Sequence, residues 1–376
     1  MASTTWTGSG NQNWSVATWS DGVPVAGEDV TLTPSAAATL TLNVDTPVLN
    51  SLSILSGSLA TLSVAADTLS VGAGGVTFDA GAVTIAGGKL TTTGSLTIDA
   101  STLSGSGVVS ASGIANAGVL KASGGTLTLT GALSGAGAVT AGGAAAGTLL
   151  IESAGSQSAA TFGTATGSVI EIGAAGALTL TQATSIGSDT LTLLGAGSTF
   201  SNSAATGASL TTGTISGIGV VDATISASGA AHVTETGGGT LELTQAVSGA
   251  SLLLSVGAAS GDKLLLDASG DSAKAVSFAS ATGAGTLEIG ADATLALSAA
   301  VSAGTNEITL DGASSQLSDS AGLTFTSGAL SGQGDVGAAV SATGAAKIDE
   351  IGGALTISGA IAATTATLGV GATSND

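Results

Sequence analysis

Cysteine is absent from this chain of 376 residues, so no disulfide contributes to its fold. Arginine is absent too: the basic residues are Lys89, Lys121, Lys263, Lys274 and Lys347, set against 25 acids for a net charge of −20. Neutralising nucleic-acid phosphates takes a basic stripe, which this chain cannot build, and anionic membrane surfaces are excluded as partners for the same reason. Cations, cationic surfaces and further copies of the chain itself remain. The mean hydropathy is +0.56, yet no block of about 20 bulky apolar residues is present, so no membrane insertion is expected. A basic region followed by an apolar core is not seen at the N-terminus, so no Sec signal is visible. With 43% hydrophobic and 8% charged residues the chain is not disordered, and 60 glycines with 2% aromatics do not describe an ordinary globular core. Trp6, Trp14 and Trp19 are the only tryptophans and Pro24, Pro34 and Pro47 the only prolines, all near one terminus.

Pairs of apolar residues separated by one small polar residue recur throughout. Leu62-Ser-Val64, Leu69-Ser-Val71, Val76-Thr-Phe78 and Val83-Thr-Ile85 begin 7 residues apart. Alternation within each pair is a strand signal and the intervening Gly and Ser are turn signals. Strands of three or four residues with a corner at each heptad suit a coil with three short sides. The predicted fold is all-β, a parallel β-helix (β-solenoid) of roughly 20 residues per rung. A heptad coiled coil is excluded by the Gly, Thr and Ser between the pairs, which are poor helix formers.

A longer period lies on top. Ser104-Gly-Ser-Gly107 returns as Ser216-Gly-Ile-Gly219 and Ser331-Gly-Gln-Gly334, at offsets of 112 and 115. Around them, GGTLTLTGALSGA from Gly124 matches GGTLELTQAVSGA from Gly238. Residues 1–29 are expected to form a Trp-rich cap or clasp and 30–376 a single β-helix. Within the helix, 30–103 is a partial repeat, 104–215 and 216–330 are full repeats, and 331–376 is a second partial one.

The opening TTWTGSGNQNWSVATWSDGVPVAGEDVTL resembles the Trp-rich start of secreted bacterial β-strand-repeat proteins, and GGTLTLTGALSGAGAV is similar to the strand repeats of autotransporter passenger domains. The resemblance implies a right-handed parallel β-helix, exported and held outside the cell or at its surface. No outer-membrane barrel sequence follows, so a non-Sec route such as type I secretion is expected in place of autotransport.

The densest acidic stretch, GDKLLLDASGD, carries Asp262, Asp267 and Asp271. The expected reading is solvated corner acids. Calcium, which takes hard oxygen ligands, is the cofactor they suggest, although the glycine-rich nonapeptide of calcium-binding β-rolls is absent. Glycoside hydrolysis needs two carboxylates flanking the scissile bond, and β-helix lyases commonly use an arginine that this chain lacks. His232 has no Ser or Cys partner in a recognisable motif, and the glycine-rich stretches 72–75 and 142–147 lack the Lys-Ser or Lys-Thr of a phosphate loop. No catalytic residue is expected. Thr39-Leu-Thr41, Thr126-Leu-Thr128 and Thr190-Leu-Thr192 are read as solvent-facing strand threonines.

The functional expectation is a non-enzymatic extracellular structural protein that polymerises head to tail. Its interface would comprise Trp6, Trp14 and Trp19 on one side and Leu355, Ile357 and Ile361 on the other, in a C-terminal stretch whose one charge is Asp376. The tryptophans are read first as a cap over an open solenoid end; a clasp onto the neighbouring copy and a platform for surface glycans are the sharper alternatives. An adhesin that binds a glycan or host surface is the alternative, and a carbohydrate-active β-helix enzyme the third reading.

Overall fold

Alternating apolar and small polar residues make strands with one buried face. The computed structural model, which describes residues 2–370, is built almost wholly of them, with one 3-10 turn at Trp14–Val16. The strands pair in parallel with their counterparts one turn away, so each unit of the chain is a β-solenoid. The chain divides into two compact units, Met1–Gln182 and Ala183–Asp376. That division falls inside the repeat read as 104–215.

In the first unit one interior column runs Thr4, Val30, Leu52, Val76, Leu96, Ile114, Leu133, Gly155, Leu178. Its members are 18 to 26 residues apart, which brackets the predicted rung. Beside it runs a second column of Trp6, Leu32, Ile54, Phe78 and Ile98. These large side chains are essentially inaccessible to solvent, and each contributes about 2 kcal/mol by leaving water. The residues between them point outward. Residues 3–6 and 10–13 join this stack, because Ser3–Trp6 pairs with Asp29–Leu32 and Gly10–Asn13 with Ala38–Leu42.

In the second unit the column Leu241, Leu264, Leu287, Ile308, Leu330, Ile348, Leu368 is continuous. A second column follows Leu295, Leu317, Val336, Ile357, and a third Val301, Leu323, Val340, Ile361. All three are buried until the last described turns, where Leu368 is 66% and Ile361 44% exposed.

Several strands exceed the predicted length. Thr68–Phe78 has 11 residues and Glu307–Phe325 has 19. They run through corners because glycine lets the backbone bend without ending the ladder. The recurring Ser-Gly-x-Gly is such a corner. Gly217 and Gly219 have φ of +114° and +133°, and Gly332 and Gly334 of +106° and +131°. A Cβ on Gly217 would collide with the carbonyl oxygen of Leu193 in the preceding turn. The most recognisable motif in the sequence is therefore a structural bend.

Candidate functional site

The three indoles close on their own chain. Trp6, Trp14 and Trp19 are 0%, 1% and 8% exposed. Trp14 and Trp19 pack edge to face with centroids 4.8 Å apart, the preferred aromatic arrangement. The Trp19 Nε1–H donates to the carbonyl of Trp14 at 3.0 Å, and the Trp6 Nε1–H to Gln12 Oε1 at 2.8 Å. Residues 19–22 run as a strap along the outer edge of Ser3–Trp6. Trp19 bridges Trp6 in antiparallel fashion, and the Ser20 N–H donates to the Thr5 carbonyl at 3.0 Å. The Thr5 N–H donates in turn to Ser20 Oγ at 3.0 Å. This geometry is a cap. The indoles proposed above for a junction or a glycan are all buried, and the Trp6 and Trp19 N–H groups find partners within the first turn.

Of the three acids in GDKLLLDASGD only Asp267 is exposed. Asp262 and Asp271 are 6% and 2% exposed, which corrects their reading as solvated corner acids. The reason is backbone satisfaction at corners, where ladder partners run out. Asp262 Oδ2 accepts from the Ala259 N–H at 2.7 Å, and Asp271 Oδ1 from the Val247 N–H at 2.7 Å. Among the described residues no three Asp, Glu or His side chains converge as a group that could hold a metal ion.

The structure instead reveals interior polar groups that the sequence reading missed. Among the described residues every buried carboxyl, Asp189, Glu235, Asp262, Asp271 and Asp319, lies in the second unit. The first unit carries amides inside. Gly135, which faces Asn116 from the next turn, has no side chain, and across that gap Asn116 Nδ2 donates to Gln157 Oε1 at 2.9 Å. Strand parity was the available signal for Glu235: Val233 points inward, so the residue two further on does also. Glu350 repeats the placement, paired with Gly332 as Glu235 is with Gly217.

Burial pushes the Asp271 carboxyl up to about 7, against the partial relief of the Val247 hydrogen bond. Burial also raises Glu235. Asp29 moves the other way, held low by hydrogen bonds from Ser51 at 2.5 Å and Asn50 at 2.6 Å. Because Asp271 binds its proton more tightly folded than unfolded, its contribution to stability is complete below the ordinary carboxyl range and is lost as pH rises through about 7. The second unit should therefore lose about 2–3 kcal/mol between pH 5 and 8 on this account. Asp271→Asn, which keeps the acceptor for Val247, should flatten that slope in thermal denaturation followed across the same range.

The outer faces are lined with hydroxyls. Thr39 and Thr41 stack on Thr61 and Ser63 of the next turn, and Ser63 on Thr84 of the one after. The second unit continues in kind with Thr192, Ser216, Thr234, Ser255 and Ser277 in register. Charge is sparse there: Lys263 Nζ meets Glu288 Oε2 at 3.0 Å, with both side chains partly exposed, a pair worth at most about 1 kcal/mol. Among the described residues no helix is long and apolar enough to cross a membrane. No known protein family, curated protein or solved structure matches this chain.

Proposed function

We propose that this chain is a non-enzymatic extracellular structural protein that assembles head to tail with copies of itself. One observation carries the reading. Large apolar side chains at least 36% exposed are concentrated in the first turns of the first unit and the last described turns of the second. Val16, Val23 and Val25 are 77%, 43% and 58% exposed, and Ile351, Ile361 and Leu368 are 56%, 44% and 66%. Between residues 60 and 350 only Val119 and Leu194 are comparably exposed. Apolar patches so placed mark interaction surfaces, and a head-to-tail contact does not close, so it makes a fibre.

Leu355, Ile357 and Ile361 keep their assigned place in this interface. On the opposite side the valines replace the indoles, which are enclosed. The proposed extracellular setting draws on the sequence resemblance and on outer faces lined by Ser and Thr. Sedimentation velocity and electron microscopy at rising concentration test the proposal. The chain should form linear polymers, and Ile361→Asp or Val23→Asp should hold it monomeric. A wild-type chain that remains monomeric at high concentration overturns self-assembly. An adhesin is the second reading, supported by the stacked hydroxyl rows. A monomer that binds a glycan through those faces would favour it.

A further inference from the structure

The corner at 257–262 in the second unit brings together two carboxyls that no basic group neutralises. Glu235 projects into the interior from the preceding turn and is fully buried. Its Oε2 accepts from the Gly257 N–H at 3.0 Å, while Asp262 Oδ2 accepts from the Ala259 N–H at 2.7 Å. Both oxygens press on the same point of Gly257. A Cβ there would lie 2.8 Å from Glu235 Oε2 and still closer to Asp262 Oδ2, so only glycine leaves room for the pair. Asp262 Oδ1 is buried with no hydrogen-bond partner, and the Gly257 and Gly239 amides relieve the Glu235 carboxyl only in part.

The surrounding charges do not relieve this. Asp262 is the charged group that bears on Glu235. Lys263, beside it, faces outward and is committed to Glu288 at 3.0 Å. His232 and Glu242 occupy outward positions on the neighbouring strands, and the facing strand Leu253–Val256 carries no ionisable side chain. Burial above all, and then the neighbouring Asp262, therefore makes the Glu235 carboxyl hold its proton more firmly than an ordinary carboxyl.

We propose that Glu235, set against Asp262 across Gly257, is a proton-operated latch between successive turns, closing the 257–262 corner while Glu235 carries its proton and opening it when Glu235 ionises. With the proton on Glu235, both amide hydrogen bonds survive. Loss of that proton to solvent leaves a buried carboxylate on Glu235 pressed against Asp262 across Gly257. The cheapest relief is hydration of the corner, which frees the Gly257 and Ala259 amides. Corners are where local opening costs least, since the ladder on either side stays paired. Lys263 N–H to Gly239 and Thr286 N–H to the Asp262 carbonyl, both 2.8 Å, bound the segment that moves.

The test is amide hydrogen exchange of the full chain between pH 5 and 8.5, expressed as protection factors so that the intrinsic pH dependence of exchange cancels. Protection at Gly257 and Ala259 should fall by up to about tenfold for each pH unit that Glu235 holds its proton above the range of a free carboxyl. In Glu235→Gln protection at both amides should be independent of pH, whereas Asp262→Asn, which leaves Glu235 buried, should weaken the dependence without abolishing it. Asp271→Asn should leave the dependence at 257 and 259 intact. The proposal fails if wild-type protection there is flat across the range. It also fails if the slope survives in Glu235→Gln, or if millimolar calcium restores protection at pH 8.5 and so shows the two acids to be a cation ligand.

Discussion

Leu96→Asp should collapse the middle of the first unit. Leu96 is 0% exposed and stacked between Val76 and Ile114. The substitution removes a buried aliphatic side chain and leaves a carboxylate with no donor in an apolar column. Together these should cost about 5 kcal/mol or more. The neighbouring change Thr97→Asp is the control. Thr97 lies on the outer face between Thr77 and Ala115, where a charge meets water and the effect should stay within about 0.5 kcal/mol. Circular dichroism with urea denaturation reads both. Equal effects at the two positions would mean that the inside and outside of the coil have been assigned wrongly.

Trp14→Ala should have the second-largest effect. Trp14 is 1% exposed, packs against Trp19 and supplies the carbonyl that Trp19 Nε1 uses. Truncation leaves a cavity of indole size, which costs about 3–5 kcal/mol. The strap loses the ring that holds Trp19 in place. Tryptophan fluorescence should shift towards that of solvated indole, and limited proteolysis should cut within 10–26 before any later turn. An unchanged spectrum and protease resistance would show that the first turn does not depend on this ring.

The legibility of the sequence varied with the type of position. Rung length and inward parity followed from the apolar pairs, because a side-chain period of two along short strands leaves little choice. The columns through Leu62, Val83 and Leu103 run as that alternation requires. Corners were harder. Asp262 and Asp271 sit where parity ends, and their burial is decided by which backbone amides lack a ladder partner, a three-dimensional matter. Asp267 follows directly after an inward Leu266 and does face out, as expected. Glu235 was readable by parity but masked by the general habit of carboxylates to seek water. The choice between cap, clasp and glycan platform for the tryptophans was open for a different reason. Their partners, Gln12 and the Trp14 carbonyl, are ordinary residues a few positions away. Nothing in composition separates an indole that seals its own turn from one that reaches a neighbour.

The strap across Ser3–Trp6 also gives strand addition a direction. The edge it covers has its carbonyl at Thr5 and its amide at the same residue already engaged, so an incoming extended segment finds few free groups there. The strap joins residues only about fifteen apart along the chain, a short loop that closes quickly. The edge is therefore blunted by local structure alone, with no contribution from a distant segment of the chain.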